Sequence, residues 1–400
     1  MPHSVAGMHY RRFGKTELSM PVFSCGGMRY QHKWQDVKKD DVPETNQKNL
    51  EATIHRALEV GIHHIETARG YGSSEMQLGY VLRNLPRDSF ILQTKIGPSE
   101  DPDEFLKNFE TSFDYLGLDY IDLLGIHGIN ESALLDYTLK KNGCLDAARE
   151  LQKQGRVRHI GFSTHGSTDV ICRAIDSGEF DYVNLHWYWI FQNNWPAIEL
   201  AAKKDLGVFI ISPNDKGGRL YDPSPILEDC CAPLSPMAFN DLFCLSHPQV
   251  HTLSIGASRP SDFDAHIEAL NSWDQRDSLV TEAQTRLHHQ IEKTVGMDWY
   301  ENHAEGLPTW SDVPKNINFK LITWLWTLHQ SLGMTEYAKA RYNMLGNAGH
   351  WFPGENAEQM KAIDLEAVLK DSPYKSEISE RLFEAHQLFK AEAGKRLSSV

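Results

Sequence analysis

Short apolar runs alternate with amphipathic segments along the first two thirds of the chain, and this alternation predicts most of its architecture. Each run has the length and composition of a buried strand, and the segment after it has helical periodicity. The runs cover residues 22–26, 62–66, 89–95, 121–127, 158–163, 182–186, 208–212 and 252–256. The helical segments between them include residues 75–84, 103–115, 144–153, 168–177, 196–205 and 238–247, with 261–271 closing the set.

This order of elements favours one fold over another. Strands that alternate with helices predict a parallel sheet, and eight such units over about 250 residues predict a closed (β/α)8 TIM barrel. An open doubly wound sheet is the alternative, but it requires a Gly-x-Gly-x-x-Gly fingerprint at the first helix, and the sequence has none there. We therefore expect an α/β protein built on a (β/α)8 barrel.

The alternation stops near residue 275, and the rest of the chain has no strand pattern. We expect a barrel domain over residues 1–275 and an all-helical C-terminal domain over residues 276–400. Helical periodicity in this tail covers residues 278–296, 316–333, 334–345 and 376–396.

Four polar side chains end successive runs of the predicted barrel. Glu66 ends the second run and Tyr71 follows it, Lys95 ends the third run, and His127 ends the fourth. Active sites on this fold lie at the C-terminal ends of the strands, so these groups should share one mouth. A single strand-end tyrosine or lysine is more often a packing or rim residue, but four together indicate a catalytic site.

The chemistry that these groups suggest is the reduction of a carbonyl. A free phenol has a pKa of about 10, and a neighbouring ammonium lowers it, so we expect Lys95 to make Tyr71 a better acid. Glu66 would pair with Lys95 and orient it. His127 would donate a second hydrogen bond to the substrate oxygen, where negative charge develops as hydride arrives. The hydride must come from a cofactor, since no side chain supplies it.

Composition excludes several other classes of function. The net charge of the 400 residues is −14 and the pI is about 5.7, which disfavours nucleic acid and anionic membranes as partners. No apolar window is long enough to span a membrane, and the N-terminus has no secretory signal pattern. The six cysteines are scattered and form no Cys-x-x-Cys pair, as expected for reduced thiols in a cytoplasmic protein.

Several motifs resemble those of the aldo-keto reductases. Residues 66–72, Glu-Thr-Ala-Arg-Gly-Tyr-Gly, are similar to the family motif Asp-Thr-Ala-x-x-Tyr-Gly, with glutamate in place of aspartate. Lys95 and His127 match the family's lysine and histidine. Further similar segments, in family order, are residues 11–18, 156–163 and 245–258.

The resemblance covers about residues 10–275 and implies a (β/α)8 barrel. It also implies NADPH-dependent reduction of a small aldehyde or ketone, or the reverse oxidation, with Tyr71 as general acid. Glu66 places its carboxylate one methylene further out than the family aspartate. A cofactor-binding sensor or regulatory subunit on the same barrel, like the potassium-channel beta subunits, is the alternative function.

The resemblance further implies an NADP(H) site around the strand ends. Ser163, Thr164 and Asn184 would bind the nicotinamide amide, and Tyr188, or alternatively Trp187, would stack on its ring. The remaining expected contacts, which include a pyrophosphate loop around Lys216 and a 2'-phosphate site at the start of the last barrel helix, are Met28, Ser212, Lys216, Gly217, Gly256, Ser258 and Arg259. Three tryptophans after the sixth run would form an apolar substrate pocket or pack against the tail: Trp187, Trp189 and Trp195.

The tail resembles the C-terminal ferredoxin-like domain of one bacterial and archaeal branch of the family. Residues 300–308 are similar to the segment that carries Cys-x-x-Cys-x-x-Cys in that branch, but they contain no cysteine. Residues 341–345 and 350–354 resemble later motifs of the branch. We expect the helical shell of this domain without its cluster, and no metal bound by His303 or His350.

Overall fold

The structure, a computed structural model, describes residues 5, 7–347 and 352–391. The chain divides into two compact units, one of residues 1–217 and 240–277 and the other of residues 218–239 and 278–400. The sequence alone suggested a single boundary after residue 275. The segment 218–239, which lies in the connection between the last two barrel strands, is instead counted with the second unit.

Eight parallel strands close into a barrel in the first unit, which confirms the predicted (β/α)8 fold. Neighbouring strands follow one another around the barrel in chain order, and the last strand pairs with both the seventh and the first. The barrel strands are β3 (Phe23–Gly26), β4 (His64–Glu66), β5 (Ile91–Ile96), β6 (Ile121–His127), β7 (Val157–Ser163), β8 (Tyr182–Leu185), β9 (Gly207–Ile210) and β10 (Thr252–Ile255).

Helices alternate with these strands, largely as the periodicity predicted. Three helices, α4, α8 and α9, were not predicted, because they have only eight, four and seven residues and are too short to show a clear helical periodicity. The helices up to residue 269 are α1 (Glu44–Glu59), α2 (Ser74–Leu82), α3 (Pro102–Leu116), α4 (Ser132–Leu139), α5 (Cys144–Lys153), α6 (Thr168–Asp176), α7 (Trp195–Lys203), α8 (Pro213–Lys216), α9 (Pro225–Cys231), α10 (Pro236–Leu245) and α11 (Asp264–Ala269).

A short hairpin precedes the barrel and covers the end at which the strands begin. Its strands, β1 (Tyr10–Arg12) and β2 (Ser19–Pro21), pair antiparallel. Phe13 and Met20 are fully buried in a cluster with Tyr182, the first residue of β8. Three-residue strands are too short to show an alternating pattern, so the sequence predicted only a turn-containing lead-in here.

Two glycines inside the barrel make room for the side chains that the site requires. Lys95 of β5 is opposite Gly125 of β6, which is opposite Gly161 of β7. A Cβ at Gly125 would lie 3.0 Å from Lys95 Cγ, and a Cβ at Gly161 would lie 2.5 Å from the ring of Tyr182. The long lysine and the tyrosine thus occupy space that any larger residue on β6 or β7 would fill.

The second unit is helical in the part of it that the structure describes. An aromatic cluster lies at its core, where the Arg381 guanidinium is 3.4 Å from the ring centroid of Trp299 and 4.6 Å from that of Trp326. His303 stacks on Trp299 with ring centroids 5.0 Å apart. The helices beyond residue 275 include α12 (Arg276–Thr294), α13 (Met297–Asn302), α14 (Phe319–Leu332), α15 (Thr335–Tyr342), α16 (Leu365–Val368) and α17 (Lys375–Phe389).

Two further properties concern metal sites and membranes. Among the described residues, no group of three or more histidines, cysteines and carboxylates is arranged to hold a metal ion. His303 is buried, and its Nδ1 is 2.9 Å from the carbonyl oxygen of Trp299. His350 lies outside the described residues. Within the described ranges, no helix combines the length and the apolar character needed to cross a bilayer.

Helices α2 and α3 approach so closely that their contact depends on a glycine. A Cβ at Gly79 would lie 2.0 Å from the carbonyl oxygen of Tyr115. We expect Gly79→Ala to lower the free energy of unfolding by about 1–3 kcal/mol, because the helices must separate to admit the methyl group. Gly97→Ala is the control, since a Cβ there meets no atom within 4 Å. Denaturant unfolding followed by fluorescence measures both, and equal stability of the two variants would contradict the prediction.

Candidate active site

The structure brings together the four residues that the sequence placed at successive strand ends. Glu66 and His127 are the last residues of β4 and β6, and Lys95 is the last but one of β5. Tyr71 lies in the turn between β4 and α2. Because neighbouring parallel strands end at one rim, all four side chains belong to the same end of the barrel.

Lys95 and Glu66 form a buried ion pair. The Lys95 ammonium donates a short hydrogen bond to Glu66 Oε2 and a second one, of 2.6 Å, to the carbonyl oxygen of Thr67. The two charged side chains are only 2% and 6% exposed. Buried charged groups of this kind occur in folded proteins when they are paired and hydrogen-bonded, as these two are.

The first barrel strand and the last accommodate the longer carboxylate of Glu66. Ser254 of β10 donates a hydrogen bond of 3.3 Å to Glu66 Oε1. A Cβ at Gly26 would lie 2.8 Å from Ser254 Oγ and 3.2 Å from Glu66 Oε1. Glycine at the end of β3 therefore leaves space for the glutamate, and the hydroxyl on β10 satisfies the oxygen that Lys95 does not reach.

Tyr71 lies between a cation and two rings. The Lys95 ammonium is 5.0 Å from the centroid of the phenol ring. The ring of His127 meets it edge-on at 5.7 Å and 84°, and the ring of Trp34 meets it at 6.3 Å and 85°. Tyr71 and His127 both remain partly exposed, as expected of groups at the mouth of a site.

Burial changes the acid–base behaviour of both rings. Desolvation raises the pKa of Tyr71 well above its usual value, and the negative charge of Glu66 raises it further. Because burial dominates, this pKa lies above rather than below its usual value, and stabilisation of the phenolate by Lys95 stays a prediction. For His127, burial, and secondarily the Lys95 charge, lowers the pKa to about 3.

A loop that the sequence did not single out holds Trp34 beside Tyr71. Gly72, with φ of +54°, lies so close to this loop that a Cβ would be 2.1 Å from the carbonyl oxygen of Lys33. The Ser73 hydroxyl accepts hydrogen bonds of 3.1 Å from the backbone N–H groups of His32 and Lys33. Gly72, directly after Tyr71, was recognisable in the sequence as a glycine in a turn, but the loop against which it packs had no comparable signal.

Arg69 fixes the turn that carries Tyr71. Its guanidinium pairs with Asp36 through a short contact, and its Nη1 is 3.4 Å from Glu75 Oε2. Glu75 is fully buried and accepts hydrogen bonds of 2.5 Å from Thr94 Oγ1 and 2.9 Å from Ser112 Oγ. Burial raises the pKa of Glu75, and the hydrogen bonds and Arg69 act in the opposite direction.

The three residues expected at a nicotinamide amide differ in their availability. Ser163 ends β7, and its hydroxyl oxygen accepts a bond of 3.1 Å from Gly128 N. Thr164 donates its hydroxyl proton to the carbonyl oxygen of Ile129 at 2.7 Å, so it stabilises the adjacent loop. Asn184 on β8 is fully buried, and neither its Oδ1 nor its Nδ2 has a partner. Unpaired buried amide atoms are costly, which indicates that Asn184 meets a polar ligand or water.

A cluster of polar side chains lies beside these residues at the ends of β7 to β9. Lys216 Nζ is 3.2 Å from His186 Nε2, and His186 Nδ1 is 2.5 Å from the Tyr188 hydroxyl. His165 Nδ1 is 2.5 Å from His186 Nε2. Tyr188 donates its proton to the carbonyl oxygen of Ile211, and its side chain is fully buried. Tyr188 therefore presents no open ring face on which a nicotinamide could stack.

The groups that were expected to donate hydrogen bonds to a 2'-phosphate already donate them to a carboxylate of this chain. The backbone N–H and the hydroxyl of Ser258 both donate to Asp262 Oδ2 at 2.8 Å. Arg259 Nε donates to Asp262 Oδ1 at 3.1 Å, and the arginine side chain is 71% exposed. The sequence places Asp262 three residues after Arg259, but only the folded turn shows that it reaches these donors.

The other expected cofactor contacts lie on the rim or in the loop after β9. Met28 is partly exposed beyond β3, and Gly256 is exposed directly after β10. Ser212 precedes α8 with φ of +54°, and Gly217 follows that helix, where a Cβ would lie 2.0 Å from the carbonyl oxygen of Pro213. Gly217 is therefore required for the tight turn, whatever else it contacts.

The tryptophans considered for a substrate pocket are mainly packing residues. Trp187 is buried, and its ring stacks on Phe243 at 4.9 Å and 21°. Trp195 contacts Trp187 at 5.2 Å and His247 at 5.1 Å. All these residues belong to the first unit, and the tryptophan that contacts the ring of Tyr71 is Trp34.

Comparison with known proteins agrees with this geometry. Residues 23–221 match the model of the Aldo/keto reductase family. The chain carries an aldo/keto reductase family domain. L-galactose dehydrogenase of Arabidopsis thaliana is 30% identical over 214 residues, which are 50% of this chain and 63% of that protein. The chain thus spans less than two thirds of the length of the curated relatives it matches first.

Solved structures show the same fold. An aldo-keto reductase from Bacillus halodurans in its holo form superposes with a TM-score of 0.59 and 20% identity, covering 70% of this chain and 96% of that one. The aldo-keto reductase from Klebsiella pneumoniae, solved in complex with NADPH, gives a TM-score of 0.54 and 19% identity over 68% of this chain and 95% of that one. At these identities the likeness concerns the barrel alone.

The two ends of the expected cofactor site differ in how well they fit a dinucleotide. The unpartnered amide of Asn184 suits a group with both a donor and an acceptor, such as a carboxamide. The turn at Ser258 suits an added phosphate poorly as it stands, because the Asp262 carboxylate already accepts from it. The residues present therefore fit the carboxamide of a nicotinamide dinucleotide better than they fit the 2'-phosphate of NADP(H).

The buried pair of the aldo/keto reductase domain predicts strong energetic coupling. We expect Glu66→Gln or Lys95→Met alone to lower the free energy of unfolding by about 3–5 kcal/mol, because each leaves a buried charge without its partner. The double variant should be more stable than the sum of the two losses predicts. The exposed pair Glu44–Lys48 is the control, and its coupling should be far weaker because both side chains are in contact with solvent. Similar coupling in both pairs, measured by denaturant unfolding, would refute the buried ion pair.

His127 should remain neutral over the whole physiological pH range. A pKa of about 3 in the folded state lies below the usual 6.5, so the unfolded chain binds the proton between these values. This histidine therefore favours folding above pH 6.5, and that contribution is lost as the pH falls towards 3. Nitrogen-15 NMR of labelled histidine should show no titration of His127 between pH 8 and pH 5. A midpoint near pH 6.5 would be inconsistent with its burial.

Proposed function

We propose that this protein is an NADP(H)-dependent oxidoreductase that reduces an aldehyde or a ketone to an alcohol, with Tyr71 as general acid. The observation that carries the proposal is the arrangement around Tyr71, with the Lys95–Glu66 pair on one side and His127 edge-on at 5.7 Å. The family match over residues 23–221 and the NADPH complex of the Klebsiella pneumoniae protein support the same reaction.

Tyr71 would keep its proton until the substrate oxygen becomes basic enough to accept it. Since its pKa is raised, the phenol is fully protonated at neutral pH. An alkoxide is a much stronger base than a phenolate, so the oxygen of a carbonyl that receives hydride can take this proton. The Lys95 ammonium, 5.0 Å from the phenol ring, would stabilise the phenolate that remains.

His127 would act as a neutral donor. With a pKa of about 3, its imidazole carries no charge at neutral pH. One ring nitrogen then bears a proton and is able to donate a hydrogen bond to the same substrate oxygen as Tyr71. Two donors directed at one oxygen stabilise the charge that develops on it during reduction.

The cofactor would bind across the ends of β7 to β10. When bound, NADPH supplies the hydride that no side chain provides. Asn184 and Ser163 would orient its carboxamide, and Lys216 would neutralise the pyrophosphate. Ser258 and Arg259 would lie near the adenosine ribose. Tyr188 is left out of this proposal as a stacking residue, because its ring is fully buried.

The substrate would be a small or medium-sized carbonyl compound that enters between Tyr71 and the loop carrying Trp34. The edge-on contact of these two rings at 6.3 Å gives the site one apolar wall.

We place the protein in the cytoplasm, in line with its reduced cysteines.

For the second unit we propose descent from a ferredoxin-like domain that has lost its cluster. The segment around His303 has no cysteine, and its aromatic residues pack on Arg381 instead of enclosing a metal. Its role in this proposal is structural. Iron and sulfide analysis of the purified protein should find neither in stoichiometric amount.

The test of the reaction is Tyr71→Phe. We expect the turnover number with a panel of aliphatic and aromatic aldehydes to fall about 10²–10⁴-fold, because the general acid is lost while the ring remains. The dissociation constant for NADPH, measured by fluorescence titration, should change little. Tyr80→Phe removes a hydroxyl from the surface of α2 and serves as the matched control.

Three outcomes are distinguishable in this experiment. Loss of turnover in Tyr71→Phe, with NADPH binding kept, supports the reductase. Tight NADPH binding by the unaltered protein without turnover of any carbonyl would instead favour a cofactor-binding sensor. Failure to bind any nicotinamide dinucleotide would overturn both functions.

A further inference from the structure

The turn that opens the last helical segment of the barrel is organised around a carboxylate. Asp262 accepts two hydrogen bonds of 2.8 Å from Ser258 and one of 3.1 Å from Arg259 Nε. The carbonyl oxygen of Ser258 in turn accepts a bond of 2.7 Å from Asn49 Nδ2 of α1. The backbone donor and the hydroxyl are thus held in place and already satisfied by an anion.

Asp262 is ionised in this turn. Burial by itself would raise its pKa, but the hydrogen bonds from Ser258 and the contact with Arg259 outweigh burial and lower it. At neutral pH the turn therefore contains one guanidinium and one carboxylate, and the two charges offset each other. A phosphate placed on the same donors must either displace this carboxylate or lie next to a like charge.

A ribose 2'-hydroxyl, unlike a phosphate, can form a favourable hydrogen bond with the same carboxylate. Ionised aspartate is an acceptor only, and a 2'-hydroxyl has a proton to donate to it. Carboxylates that select NAD over NADP in other dinucleotide sites act through this contact, whereas an arginine favours the 2'-phosphate. The present turn contains both kinds of residue, and the side chain of Asp262 is 28% exposed and within reach of a ligand.

From these contacts we propose that Asp262 determines the cofactor selectivity of this protein by competing with the 2'-phosphate for Ser258 and Arg259. The inference rests on the proposed function, since it assumes that the adenosine ribose lies at this turn. It predicts that the unaltered protein binds NADH and NADPH with dissociation constants within about tenfold of each other. NADPH remains a cofactor, but its extra phosphate brings little additional affinity.

The decisive variant is Asp262→Asn, which keeps the shape and an acceptor oxygen but removes the charge. We expect the affinity for NADPH to rise at least about tenfold, whereas the affinity for NADH changes less than about twofold. Fluorescence or calorimetric titration of the full-length protein measures both constants without any substrate. The fragments 2',5'-ADP and ADP should repeat the contrast, because they probe the adenosine end of the site alone.

Asp264→Asn is the matched control. Asp264 lies two residues further on, and its carboxylate pairs with Arg56 at 2.9 Å instead of with the turn. This variant removes the same charge from the same neighbourhood, so a general electrostatic effect would raise NADPH affinity in both variants. A thermal melt of each variant shows whether the turn is still folded, and Asp262→Ser provides a second replacement if Asp262→Asn unfolds.

The results separate this inference from the function on which it rests. A rise in NADPH affinity confined to the variants of Asp262 supports the proposal. Unchanged affinity ratios in those variants, or an equal rise in Asp264→Asn, would overturn it and leave the reductase intact. If neither dinucleotide binds to the unaltered protein, the proposed function itself fails.

Discussion

The burial of one lysine charge inside the barrel constrains much of what surrounds it. Glu66 pairs with Lys95 from the neighbouring strand, and the carbonyl of Thr67 accepts a second hydrogen bond from it, which compensates the loss of water. The pair in turn requires open space, which Gly125 provides on one side and Gly26 on the other. Residues on four strands are thus restricted by a single ion pair, and the acid–base groups of the mouth are arranged around it.

The glutamate at position 66 illustrates how a change in one side chain is absorbed by its neighbours. A carboxylate on a longer stem has to be accommodated within a closed barrel, where no strand can move away alone. Here the absence of a side chain at Gly26 leaves space for the carboxylate, and the hydrogen bond from Ser254 satisfies one of its oxygens. The position of the ammonium below Tyr71 therefore depends on residues of four strands, β3, β4, β5 and β10, rather than on Lys95 and Glu66 alone.

The sequence predicted the barrel and the four groups at its mouth because both depend on local patterns. Strand ends follow from where an apolar run stops, and parallel strands that end together bring such residues into one place. The pKa of Tyr71 was not predictable in this way, since it depends on burial and on the negative charge of Glu66. The loop carrying Trp34, the buried ring of Tyr188 and the reach of Asp262 were likewise set by tertiary contacts with no periodic signal.

Arg69 joins two parts of the site that serve different purposes. It holds Asp36 on the loop that presents Trp34, and it reaches Glu75 behind the turn that presents Tyr71. Trp34, the proposed wall of the substrate entrance, and Tyr71, the proposed proton donor, are consequently anchored by the same guanidinium. Under the proposed function, redesigning that loop to broaden the substrate range should therefore also disturb the rate of the chemical step. The two traits could be engineered independently only if the arginine and both its carboxylates were kept.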